Sequence, residues 1–285
     1  MSSIRTLAER ALATAVSAPA LSRITGRLAD LRLPAPLLRL AIRAYVRAYG
    51  VDLGEAEAPD GGYASFDAFF TRRLRPGARP VERGPGVVVS PSDSRLYGIG
   101  PVPRGGTLEQ VKRRSYSIEA LVGSSEDASP FGGGVSATLY LSPSMYHRVH
   151  VPVDGRVTGW RYVPGRLFPV NGPAVRSVPG LFTRNERVAV FLDSEAHGSV
   201  AVVLVGAANV GRISIAFGDL VTNRGAPATR VRPPEPIPVR RGDDLGVFHL
   251  GSTVVLLVAD PALAAAPGAV PGAVVRMGQA LWRRR

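Results

Sequence analysis

The 285-residue chain has no cysteine. Disulfides, thiolate nucleophiles and cysteine-ligated zinc are therefore excluded, and any nucleophile is Ser, Thr, Lys or a carboxylate. Lysine is almost as scarce: Lys112 is the single lysine among 35 basic side chains. It sits in the polar stretch Val111-Lys112-Arg113-Arg114-Ser115, a poor setting for the internal Schiff base that a pyridoxal-phosphate enzyme requires. Long apolar runs are also missing. The two best, near 200–210 and 253–259, fall far short of the roughly 20 residues of a membrane-spanning helix. The N-terminus carries Arg5 and Glu9 without a compact apolar segment and does not read as a secretory signal. Helix-turn-helix, RNP and zinc-finger patterns are absent, which argues against nucleic acid as the partner.

What is present is positive charge, +13 overall, with 45% hydrophobic residues, 32 glycines and 25 prolines. Such a chain buries a sizeable core as one large or two small domains. Its glycine and proline favour turns and short strands over a helical bundle. The charge calls for anionic partners.

The first 50 residues read as helical and carry eight arginines against Glu9 and Asp30. Arg39, Arg43 and Arg47 form one stripe of a helix, and Leu38, Ile42, Tyr45 and Tyr49 an adjoining apolar stripe. Such a helix either lies in a membrane interface with arginines at the headgroups or packs on the protein's own core. Residues 51–62 read as an acidic, Gly-rich linker, followed by a short helix around Ser65–Thr71. From about Gly86 onward the pattern is strands and turns: Val87–Ser90, Ala137–Leu141, Val188–Leu192, Val200–Val205, Arg212–Ala216 and a strand around Ser252. The expected fold is α+β, with N-terminal amphipathic helices and then a β-rich domain of short antiparallel strands. The expected division is 1–62 and 63–285. The tail, with Trp282 ahead of three arginines, suits either a membrane interface or solvent.

One local conflict stands out. Gly246-Val247-Phe248-His249-Leu250-Gly251-Ser252-Thr253-Val254-Val255 reads as one long strand or two abutting ones. A Gly-Ser pair in its middle is costly, because Gly weakens a strand and often marks close approach of another group. The pair makes sense if the peptide bond itself reacts, with the Ser252 hydroxyl attacking the unshielded Gly251 carbonyl. A bulge with a solvated hydroxyl is the plainer alternative.

Of four histidines, two lie in Tyr146-His147-Arg148-Val149-His150-Val151-Pro152. They are a metal pair, a buried and a surface histidine, or two proton-transfer groups at one site. No third metal ligand at suitable spacing is evident. Asp93, in Ser90-Pro91-Ser92-Asp93-Ser94, is a turn carboxylate or the acid that orients a histidine. His249 reads as structural, and His197 as part of a hairpin turn.

With these segments in view, the chain resembles the phosphatidylserine decarboxylase family. The resemblance rests on Phe69-Phe70-Thr71-Arg72-Arg73-Leu74-Arg75-Pro76-Gly77-Ala78-Arg79-Pro80, Ser90-Pro91-Ser92-Asp93, the double-histidine segment, Leu167-Phe168-Pro169-Val170-Asn171 and Thr183-Arg184-Asn185-Glu186-Arg187-Val188. Gly242-Asp243-Asp244-Leu245-Gly246-Val247-Phe248 then leads into the self-cleavage motif Leu250-Gly251-Ser252-Thr253. These segments follow family order from about 65 to 280. One departure is Ser94, where the family has Gly after the Asp.

The resemblance implies a self-processing pyruvoyl enzyme with no metal. Ser252 attacks Gly251, the chain parts between them, and the serine becomes a covalent pyruvoyl group. In that scheme His150 is the base for Ser252, Asp93 orients His150, and His147 serves decarboxylation of phosphatidylserine to phosphatidylethanolamine through a Schiff base. It further implies a peripheral enzyme on the cytoplasmic face of a bacterial cell membrane, drawn to anionic phospholipid by about 1 kcal/mol per basic residue near the surface. The two cleaved chains stay associated, and homodimerisation is a family-based expectation. The rivals are a pyruvoyl decarboxylase of soluble amino acids, a serine hydrolase using Ser252, His150 and Asp93, and a non-catalytic basic domain that binds membrane or nucleic acid.

Overall fold

The computed structural model describes residues 19–111, 114–208, 212–249 and 252–285. Lys112 and Gly251 lie outside the described residues, as do residues 1–18 of the expected N-terminal helix. Three helices come first: α1 (Pro19–Asp30), α2 (Ala35–Tyr49) and α3 (Phe66–Phe70). Pro34, which has no N–H to leave unpaired, stands at the N-cap of α2, and Gly50 closes the helix in the left-handed conformation at φ +67°. Ser65 caps α3 by accepting from the Ala68 N–H.

Seventeen strands follow. They are β1 (Val87–Val89), β2 (Ser94–Pro101), β3 (Thr107–Val111), β4 (Arg114–Ser117), β5 (Val135–Leu141), β6 (Arg148–His150) and β7 (Gly155–Val163). Next come β8 (Arg187–Ser194), β9 (Gly198–Val205), β10 (Arg212–Ile215), β11 (Thr229–Val231), β12 (Ile237–Val239) and β13 (Asp244–His249). The last are β14 (Ser252–Val258), β15 (Leu263–Ala265), β16 (Val274–Val275) and β17 (Ala280–Arg284). The pairings are antiparallel, and the fold is α+β and rich in strand.

A nine-stranded sheet ordered β11-β7-β8-β9-β14-β5-β2-β16, with β12 also on β7, forms the middle layer. Along β14, Val254, Leu256 and Val258 enter one apolar cluster, whereas Val255 and Leu257 enter the other. That alternation follows from the two-residue period of a strand. Because both faces are covered, β14 reads in the sequence as an unbroken apolar run. The first cluster also contains Val149 of β6, Ile213 of β10 and Phe248 of β13, strands of a second sheet ordered β10-β13-β6. Leu263 and Trp282 of a third sheet, β1-β17-β15, complete it. The second cluster packs the helical segments around Ile118, Phe131, Val175 and Phe182 on the opposite face.

Two readings of the sequence are corrected here, and one open alternative is decided. The tail is no free appendage: Trp282 is 1% exposed in the core, and β17 pairs with both β1 and β15. The segment 51–62 is docked. Its Ala56 bridges to Leu74, and Glu55 forms ion pairs with Arg79 and Arg276. On α2 the stripe Leu38 and Ile42 faces the protein, in a small cluster with Val51 and Phe69, while Tyr49 is exposed, its ring tilted 40° against Tyr45 with the centres 4.5 Å apart. A different apolar row faces outward: Ile24, Leu28, Leu31, Leu33, Leu37 and Leu40. Among the described residues, no helix is long and apolar enough to cross a membrane.

Trp282→Ala should lower the unfolding free energy by about 3–5 kcal/mol, the cost of a large core cavity. Urea unfolding reads it, and a loss under about 1 kcal/mol is incompatible with the core position of this ring.

Candidate active site

The apolar run from 244 to 258 is two strands in two different sheets. β13 pairs with β6 and β10, whereas β14 pairs with β5 and β9. The chain therefore passes from one layer to the other between His249 and Ser252, and the Gly251 half of the expected scissile bond lies at this passage, outside the described residues. Ser252 is the first residue of β14, opposite Leu141 of β5. It is 1% exposed, and its hydroxyl has no hydrogen-bond partner among the described residues. By strand alternation its side chain shares the face of Val254, toward the layer that contains β6 and β13.

Both histidines of the double-histidine segment are buried near this seam. His147 donates from Nδ1 to the Met145 carbonyl at 2.8 Å, which leaves Nε2 as a lone pair without a partner. The Phe70 ring lies 4.2 Å from the imidazole. Burial pushes the His147 pKa down to about 3; the Met145 hydrogen bond opposes this, and the nearby charge of Arg72 adds to it. His150 donates from Nδ1 to the Gly242 carbonyl at 2.9 Å and accepts at Nε2 from the Tyr146 hydroxyl at 3.0 Å. Burial lowers its pKa too, against the pull of Asp244, whose Oδ1 lies 3.5 Å from Nδ1. Gly242 explains part of the Gly-Asp-Asp segment. Its φ of +93° suits glycine, and an added Cβ would meet Val81 at 2.9 Å.

Asp93 is buried in the loop between β1 and β2. Its carboxylate faces Arg79, with contacts of 2.9, 3.1 and 2.6 Å, and it accepts the Met277 N–H at 2.8 Å. Neither ring nitrogen of His150 bonds to it. The connection to His150 runs through the backbone, where the His150 N–H donates to the Pro91 carbonyl at 2.8 Å. Arg95 of β2, Tyr140 of β5 and Thr253 of β14 form one row across three strands, so Asp93 and Ser252 end neighbouring rows at the same sheet edge. Ser94 needs no glycine backbone. Asn223 is the only non-glycine with positive φ among the described residues, and the Ser94 hydroxyl pairs with Ser92 at 2.7 Å.

Several residues here carried no signal of their own in the sequence. Arg79 is buried between Asp93 and Glu55. Arg187 spends its guanidinium on the carbonyls of Ala120, Leu121, Thr183 and Asn185, and Asn185 ties Phe168 to Gly206. These contacts give the Asn-Glu-Arg segment a scaffolding role. His249 bonds to Asp67 at 2.9 Å and to Ser214 at 3.1 Å. His197 lies in the β8–β9 turn, buried 3.1 Å from Asp260. Among the described residues, no group of three His, Cys, Asp or Glu side chains is placed to hold a metal ion.

The chain also resembles known proteins over most of its length. Residues 66–283 match the family model described as phosphatidylserine decarboxylase. A phosphatidylserine decarboxylase proenzyme of Myxococcus xanthus is 44% identical over 260 residues, covering 91% of this chain and 92% of the relative. One from Anaeromyxobacter sp. (strain K) is 46% identical over 265 residues, covering 92% and 93%. One from Bordetella pertussis is 46% identical over 242 residues, covering 83% and 80%.

The buried histidines set a pH dependence. In the unfolded chain both protonate near pH 6.5, whereas folded His147 stays neutral down to about 3 and folded His150 is held below its ordinary value. The unfolded state thus binds more protons below 6.5, and stability falls as pH drops from there. His147→Gln should flatten this acid limb. Melting temperatures from pH 7.5 to 5 test it, and an unchanged slope would contradict a buried neutral imidazole.

Proposed function

The chain belongs to the phosphatidylserine decarboxylase family, and we propose that it converts phosphatidylserine to phosphatidylethanolamine with a ketone made from its own Ser252. The observation that carries this reading is the hydroxyl of Ser252, buried without a partner among the described residues where the chain changes sheets, with two histidines held neutral on the segment that pairs with β13. The site fits the group. A buried donor without an acceptor is costly, and exchanging that hydroxyl for a carbonyl removes the donor.

In the processing step Ser252 Oγ bonds to the Gly251 carbonyl carbon, the Gly251–Ser252 C–N bond breaks, and the Oγ proton passes by way of a base to the freed amine. Loss of the Ser252 Cα proton then expels the Gly251 carboxylate. Water replaces nitrogen, released as ammonia, and leaves a ketone at the new N-terminus. His150 is the base. The Gly242 carbonyl fixes its tautomer, so Nε2 presents the lone pair once the Tyr146 hydroxyl turns aside. Asp93 acts on His150 through the Pro91 loop and through its negative charge, which favours the imidazolium.

In decarboxylation, the keto amide supplies the sink for the electron pair that carbon dioxide leaves behind. His147, with its uncommitted Nε2, takes the proton the substrate ammonium sheds and returns one to Cα. Phe70 over the ring keeps water from it. We assign residues 1–62 to membrane association and 63–285 to the chemistry. The outward row Ile24, Leu28, Leu31, Leu37 and Leu40, beside Arg27, Arg39 and Arg43, suits peripheral binding to an anionic cytoplasmic leaflet. The same row favours a lipid over a soluble amino acid as substrate.

Intact-mass analysis of wild-type protein should give two fragments, 1–251 and 252–285, the shorter one shifted by hydroxylamine or borohydride. Ser252→Ala should remain whole and inactive. His147→Gln should be cut normally yet lose at least about 100-fold in turnover. A single uncut, fully active wild-type chain would refute the reading. Separately, Leu37→Ser with Leu40→Ser should weaken sedimentation with phosphatidylglycerol vesicles several-fold while leaving turnover of dihexanoyl phosphatidylserine intact. Equal vesicle binding would remove the role given to this row.

A further inference from the structure

Arg72 is 5% exposed, yet no carboxylate lies within ion-pair distance of it among the described residues. Among the described residues its guanidinium makes one hydrogen bond, a 3.5 Å contact from a terminal nitrogen to the Phe69 carbonyl, and its Nε has none. The guanidinium lies 5.3 Å from the centre of the Phe69 ring. Burial holds its pKa below the usual arginine value. The neighbouring arginines differ. Arg79 has Asp93 and Glu55, and Arg73 and Arg148 share Asp244. A guanidinium carries five donors in a fixed fork, and a buried charge left without partners is strongly unfavourable. Arg72 is therefore built for an anion that the chain itself does not provide.

Its surroundings say where that anion enters. Arg72 lines a cavity of ≈ 440 Å³ together with Arg73 and with Thr71 and Arg148, the chain neighbours of Phe70 and His147. Glu57, the one carboxylate in the lining, is exposed. A smaller hollow of ≈ 150 Å³ shares the wall of Gly62 and Tyr63 and runs along Leu38, Arg39 and Ile42 of α2. The two hollows thus meet at Gly62 and Tyr63, between α2 and Arg72, whose charge is felt at His147.

Resting on the decarboxylase reading, we infer that Arg72 is a specificity determinant whose guanidinium grips the phosphodiester of the lipid headgroup in this cavity. The substrate carries two anionic groups, and the chemistry separates them. The carboxylate must give up its charge as carbon dioxide leaves, so a guanidinium clamped on it would stabilise the reactant more than the transition state. The phosphodiester keeps its charge throughout. Binding it is uniform across the reaction and appears in KM and not in kcat. The planar fork matches two phosphate oxygens at once.

The test compares wild type with Arg72→Met and Arg72→Lys, each checked by intact mass for self-cleavage. Dihexanoyl phosphatidylethanolamine, which has the phosphate and lacks the carboxylate, is titrated by calorimetry, and dihexanoyl phosphatidylserine is used for kinetics. Arg72→Met should weaken the phosphatidylethanolamine Kd and raise KM by about 10- to 100-fold, the worth of a charged hydrogen-bonded contact, with kcat within about threefold. Arg72→Lys, with the charge but not the fork, should fall between. Unchanged phosphatidylethanolamine affinity, whether KM for phosphatidylserine rises or kcat drops, overturns the inference. The same titration on uncut Ser252→Ala protein, with and without Arg72→Met, reads the phosphate contact apart from processing. If binding depends on Arg72 but wild type fails to decarboxylate, the decarboxylase reading falls and the phosphate site stands.

Discussion

The protein changes sheets in the middle of its most apolar stretch, and the rest of the site depends on that passage. β13 is committed to β6 and β10, and β14 to β5 and β9. Each strand is pinned on both sides by ladder hydrogen bonds and by buried side chains, so neither slides to relieve the join. The two strands thus lie in layers whose positions are set elsewhere, and Ser252 begins β14 buried, with no partner for its hydroxyl among the described residues.

Arginine organises the ground around the seam. In a chain almost without lysine, the buried positive groups are planar forks able to bond several oxygens at once. Arg187 binds four carbonyls and holds the helical layer to β8. Arg79 joins the Asp93 loop to Glu55 in the N-terminal segment, and Arg148 joins β6 to Asp244 of β13. Each of these cations is compensated, which is what burial of charge demands. Arg72 departs from the pattern, and the departure falls close to the double-histidine segment.

The aromatic contacts connect the outer helices to the same place. Tyr45 of α2 donates to the Pro143 carbonyl at 3.0 Å, in the loop that leads to His147, and lies edge-on to Phe66, Phe69 and Phe70. Phe70 in turn covers His147. A helix whose far side exposes leucines is thus linked to His147 through the phenylalanine rings of α3. The helix is part of the active-site wall as well as a candidate lipid contact.

The strands of the middle sheet were legible as local patterns. The runs at 188–192, 200–205 and 253–258 are apolar and β-branched because both their faces are buried, and Ser65 with three phenylalanines marked α3. The Gly251-Ser252 pair was legible as well, since it breaks a strand pattern without any local gain. Non-local geometry was not. Nothing in residues 244–258 says that they belong to two sheets, because strand periodicity is blind to which partner a strand takes. Trp282 read as a tail residue because pairing of β17 with β1 joins positions nearly 200 residues apart. Asp93 looked like an acid aimed at a histidine, but its carboxylate turned to Arg79, a choice made by the nearest buried cation. Residue types and their periodicity were thus determined by the sequence alone. Which charges met, which ring nitrogens were left open and which arginine was left unpaired were decided only when the three layers closed, because each depends on groups brought together from distant parts of the chain.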